Sequence, residues 1–169
     1  MIPATRVIPS GYSWSKLPHS RIHEVRFHGE LVGTVQRPSA WKSAYEAETT
    51  AGRWIFRRKG LLGTAAEIMD ATRSEPIASY KAAWAKGGIL KFSDGQTFRL
   101  HCKGLWHPTW TVQSLSGTDV LFLHTREKTA EVSPSEILEQ VRRNLLVLFV
   151  LYRVLQAEDD AASAAMVAS

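Results

Sequence analysis

Leu145-Leu146-Val147-Leu148-Phe149-Val150-Leu151-Tyr152 is an uninterrupted apolar run. It follows Ile137-Leu138-Glu139-Gln140-Val141-Arg142-Arg143-Asn144, and Arg153 separates it from Val154-Leu155. Ser133-Pro134-Ser135-Glu136 reads as a helix start, with a serine cap, a proline in the first helical position and a glutamate completing a capping box. The pattern predicts a helix over 134–156. The eight-residue run is far short of the roughly 20 residues that cross a bilayer. A helix apolar on every face must be enclosed by protein. A membrane anchor and an oligomerising helix are the rival readings.

The material available to enclose it lies upstream. From Glu24 to Val132 the chain is a series of short segments with period-two alternation, broken by turn signals. Gly29-Glu30, Ala51-Gly52, Ser93-Asp94-Gly95 and Ser116-Gly117 mark hairpins. Gly87-Gly88 reads as the break between a strand over 77–84 and the next at 89–92. Trp41 to Thr49 reads as one strand. About eleven strands result, the spacing of an all-β barrel or sandwich. Phe98, Leu100 and Cys102 alternate with Thr97, Arg99, His101 and Lys103, so one face is expected buried and the other wet.

The expected fold is therefore mainly β: an antiparallel closed barrel of about 11–12 strands around a hydrophobic C-terminal α-helix. Residues 1–21, with Pro3, Pro9 and Gly11, read as an irregular arm. Residues 22–156 form the barrel with its central helix, and the acidic, small-residue segment 157–169 reads as a disordered tail. The N-terminus starts no long apolar run, so no signal peptide is expected. The single cysteine, Cys102, excludes an internal disulfide. It is expected to be a buried, inert thiol.

A shift of 44 residues places Trp54 on Phe98, Phe56 on Leu100, and Lys59-Gly60-Leu61 on Lys103-Gly104-Leu105. Ile68 then falls on Val112 and Ile77 on Leu121. An internal repeat and the chance likeness of two amphipathic strand sets both account for this.

Signatures of catalysis are missing. No phosphate-binding glycine loop, dinucleotide fingerprint or nucleophile elbow occurs. His23-Glu24-Val25-Arg26-Phe27-His28 has one residue too many between Glu and the second His for a zinc-protease helix. His101 and Cys102 are strand neighbours and point to opposite faces, so they do not readily share a metal. No cofactor or metal is expected.

Charge is the remaining lead. The net charge is +5, with 16 basic and 8 acidic side chains in residues 1–110 but 5 and 8 in 111–169. Such a basic body could favour polyanions, but a modestly basic soluble surface is the preferred reading. Arg57, Lys59, Arg99 and Lys103, with His101, form an outward basic set and are the candidate site for an anionic ligand. A solvated strand face is the alternative. Six tryptophans raise single-stranded nucleic acid as a ligand, but Trp54 and Trp110 fall on inner faces and nucleic acid is disfavoured.

The order of features resembles the tubby C-terminal-like superfamily, which groups tubby domains, phospholipid scramblases and LURP-one-related proteins. It lies in a strand ending Arg57-Arg58-Lys59, a bend, the strand Ala66-Glu67-Ile68-Met69-Asp70, a polar turn, Pro76-Ile77-Ala78-Ser79-Tyr80-Lys81, and the closing run Leu145 to Leu151. The match spans about 22–156. The resemblance implies the filled barrel and, by analogy with tubby domains, phosphoinositide or other anionic phospholipid headgroups as ligands of the barrel exterior. It carries no headgroup residue over by position, and no calcium loop is present. The expected function is a non-enzymatic binding or adaptor module, cytoplasmic and peripheral to a membrane. An interaction domain with a protein partner and no small ligand is the alternative.

Overall fold

The computed structural model describes residues 11–60, 63–83, 87–134 and 138–169. Among these, twelve strands are followed by one helix. They are β1 (Tyr12–Lys16), β2 (Ile22–Phe27), β3 (Glu30–Gln36), β4 (Tyr45–Thr49), β5 (Gly52–Lys59), β6 (Ala65–Asp70), β7 (Glu75–Ala83), β8 (Gly87–Phe92), β9 (Thr97–Lys103), β10 (Thr109–Ser114), β11 (Asp119–His124), β12 (Thr129–Val132) and α1 (Gln140–Ala168). Each strand pairs antiparallel with the next, and β1 pairs with β12, closing the barrel. Closure removes both sheet edges.

The barrel has no lumen to spare. Inward side chains such as Phe56, Ile68, Leu90 and Leu100 share one core cluster with α1, whose residues 145–152 are all buried. Phe149 packs edge-on against Phe56 at 5.6 Å and tilted against Tyr80 at 5.5 Å, and Tyr152 meets Tyr45 at 4.9 Å. No helix among the described residues is long and apolar enough to cross a membrane.

Arginines clamp the helix on both sides of its buried stretch. At the leading end Arg142 donates to Asp94 and Gln96 in the β8–β9 turn and lies 3.7 Å over the Phe92 ring. Arg143 donates to the Tyr12 hydroxyl, which itself donates to Asn144. Just past that buried stretch, Arg37 binds Glu158 at 2.6 Å and Asp159 at 2.7 Å, and Arg58 binds Asp160.

Those contacts correct several expectations. The arm is not irregular throughout: Tyr12 and Trp14 turn inward, and residues 12–16 are the strand that closes the barrel. The segment 157–169 is helical to Ala168, because its acidic residues pair with Arg37 and Arg58 and its alanines favour helix. The helix begins at Gln140 rather than 134. Ser133 donates its backbone N–H to Val120 at 2.9 Å and so extends the sheet. Gly87-Gly88 lies within β8. Trp41 stands in the loop before β4. The expected readings at residues 1–10, Leu61, Trp84, Ser135, Glu136 and Ile137 fall outside the described residues.

One buried histidine gives the fold a pH dependence. His23, on β2, is buried, and its Nδ1 has no partner among the described residues. Burial, then the charges of Arg37, Lys16 and Lys128, lowers its pKa to about 4, against Asp159. The unfolded residue titrates near 6.5. Between those values the unfolded chain binds the extra proton, so stability is full above pH ~6.5 and falls as the pH drops to about 4. The loss from this residue is on the order of 3 kcal/mol. In denaturant melts at pH 7.5 and pH 4, the stability gap between the parent and His23→Leu should shift by that amount. A pH-independent gap would show that His23 does not titrate in this window.

Candidate functional site

The five expected basic residues all lie on outward faces, but they do not form one site. Arg57 and Lys59 end β5, while Arg99, His101 and Lys103 lie on β9. Four steps around the barrel separate the two strands, which is roughly 19 Å of wall. The β5 pair also shares one carboxylate, which offsets half of its charge. Register places Glu67 of β6 opposite Arg57, and this buried carboxylate accepts from Arg57 and, at 3.0 Å, from Lys59. Burial alone would raise the Glu67 pKa. Hydrogen bonds from Lys59 and Arg57, together with their charges, outweigh it and hold the group below its ordinary value.

The β9 group has company instead. Lys81 of β7 stands in register with Ile89 of β8, and Ile89 with Arg99 of β9. Lys91, two residues along β8, faces Ser79 and Thr97. Lys81, Lys91, Arg99, His101 and Lys103 are all exposed. Lys81, Lys91, Arg99 and Lys103 make no ion pair among the described residues. With adjacent strands about 5 Å apart and a rise of about 3.3 Å per residue, Lys81, Lys91 and Arg99 stand within about 10 Å of one another, close to one Debye length at physiological salt, and Lys103 lies about 13 Å further along β9. The sequence reading missed Lys81 and Lys91. The signal was available: Lys81 follows the inward Tyr80, and Lys91 follows the inward Leu90.

The wall runs into an exposed apolar tip. After Lys103 the chain bends at Gly104, whose φ is +97°. Leu105 and Trp106 follow, 81% and 90% exposed. The other proposed copy of this bend, at Gly60, also has positive φ, +81°, and opens at the same end of the barrel. Trp14, Trp54 and Trp110 are buried, whereas Trp41 is exposed on another loop at that end.

Between the 104–108 loop and the outer half of α1 lies a cleft of about 660 Å³. Trp106, Trp110 and Val154 supply apolar walls, and Arg153 is its strongest cation. Cys102 lines it as well. The thiol points inward as expected, but this close to the barrel mouth it is only partly buried.

The fold and this surface define a closed antiparallel barrel filled by its own C-terminal helix, with a basic outer wall. Comparison with protein-family models, curated proteins and solved structures finds no match to this chain.

Proposed function

We propose that the chain is a non-enzymatic binding module of tubby-like type that docks on anionic lipid headgroups at a membrane surface. The observation that carries this reading is the unpaired cation set Lys81, Lys91, Arg99 and Lys103, continuous with the exposed Leu105-Trp106 tip. Basic residues near an anionic leaflet contribute about 1 kcal/mol each. Tryptophan beside an aliphatic side chain suits the headgroup boundary. Nucleic acid fits the tip less well, because leucine offers no ring on which a base stacks. The protein would be peripheral, on the cytoplasmic leaflet where anionic lipids concentrate.

Co-sedimentation with vesicles tests this. Phosphatidylserine- or phosphoinositide-containing vesicles should bind the protein, and neutral phosphatidylcholine vesicles should not. Binding should weaken from low to physiological salt. Lys81→Glu/Lys91→Glu/Lys103→Glu should lower affinity by about a hundredfold, given three contributions of that size. Binding that ignores lipid charge or survives the triple reversal would sink the proposal. Binding of a single-stranded oligonucleotide alone would assign the wall to nucleic acid.

A further inference from the structure

Arg153 makes no ion pair among the described residues. It sits on α1 where the helix leaves the barrel, next to buried Tyr152 and Val154. Its Nη1 donates to the Gln156 side chain, and its guanidinium carbon lies 4.8 Å from the Tyr80 ring centre. Its Nε–H is buried and has no acceptor among the described residues. The nearby phenols do not supply a charge. Burial pushes Tyr80 and Tyr152 up, and Arg153 only partly opposes it, so both stay neutral at physiological pH.

The carboxylates of α1 are engaged elsewhere. Glu158 and Asp159 pair with Arg37, and Asp160 pairs with Arg58. A positive charge set among neutral groups at the edge of a low-dielectric core calls for an anion. The space beside it is mainly apolar. Leu105, Trp106, Pro108, Trp110 and Val154 line the cleft with Arg153, and its volume of about 660 Å³ is that of a small-molecule site. Glu158 lines it too, but its carboxylate is held by Arg37.

We infer that this cleft binds a single-chain aliphatic carboxylate, with its chain between the 104–108 loop and α1 and its carboxylate on Arg153. The apolar walls take the chain by burial. The guanidinium presents charged donors to the head group, which a neutral analogue of equal length does not exploit. This site is separate from the lysine wall, since none of Lys81, Lys91, Arg99 and Lys103 lines it.

The test is calorimetric titration of the whole chain with decanoate below its micellar concentration, beside decanol and acetate. Decanoate should bind with a stoichiometry near one. Decanol, which lacks the charge, and acetate, which lacks the chain, should each bind at least about tenfold more weakly. Arg153→Met should weaken decanoate by about tenfold or more and leave decanol unchanged. Ala161→Trp should block both, because Ala161 lines the cleft from an exposed helical position away from the core. That variant keeps the test decisive if Arg153→Met misfolds. Absence of decanoate binding, decanol binding as tight as decanoate, or undiminished decanoate binding by folded Ala161→Trp protein would overturn the inference. The triple lysine reversal should leave decanoate binding intact, so the two proposals fail separately.

Discussion

Leu148→Asp is expected to abolish the folded barrel, leaving no cooperative thermal transition and no near-ultraviolet aromatic circular dichroism. Leu148 is 1% exposed and lies in the middle of the enclosed run. Its Cδ1 would be 3.2 Å from a Cβ placed on Gly33 of β3, so the barrel wall is in direct contact. Removing a buried leucine costs about 2–3 kcal/mol in transfer alone. A carboxylate in its place adds several kcal/mol more, whether it stays ionised or is forced to take up a proton. The sum approaches the whole stability of an ordinary domain, about 5–15 kcal/mol. Leu148→Met is the control, since a volume-conserving swap costs less than about 1.5 kcal/mol. A Leu148→Asp protein that melts with the parent would show that α1 is not enclosed.

The barrel was legible because its strands state their faces residue by residue. Thr97 to Lys103 alternates without a fault, and the structure returns a strand with those bounds. The all-apolar helix then leaves one place to go. What escaped were features whose local signal points the wrong way. Tyr12 and Trp14 alternate like any strand, but they follow a segment dominated by Pro3, Pro9 and Gly11. The segment from Ala157 onward has helix-forming alanines and an acidic cluster that reads as solvating. Its partners Arg37 and Arg58 lie more than a hundred positions away, so no local pattern announces the pairing.

The candidate site was half legible for the same reason. Period two shows that Arg57 and Lys59 face outward, but only hairpin register shows that Glu67 stands beside them. Register likewise gathers Lys81, Lys91 and Arg99 from three strands. The cleft was wholly hidden. Its walls come from a loop and a helix about fifty residues apart, and Arg153 read only as an interruption of an apolar run.

Gly88→Val is expected to destabilise the protein by at least about 3 kcal/mol, which lowers the melting temperature by about 10 °C for a chain of this size. Gly88 is a buried strand residue paired with Ala82 and Leu100. A Cβ there would fall 2.6 Å from the Tyr80 ring and closer still to the Lys81 carbonyl oxygen. The carbonyl belongs to the β7 ladder and cannot retreat without breaking it. Tyr80 is 2% exposed and held between Phe149 and Arg153, so its ring has nowhere to swing. Gly87 is under the same constraint, its Cβ colliding with the Leu100 carbonyl. The adjacent glycines therefore let β8 approach its neighbours closely, where their spacing alone suggests a turn. Gly95→Ala is the comparison. That glycine has φ +92° and nothing within 4 Å, so its cost is backbone strain of about 1 kcal/mol. If Gly88→Val melts no lower than Gly95→Ala, β8 does not pack this closely on Tyr80, and the glycine pair reverts to the turn its spacing suggests.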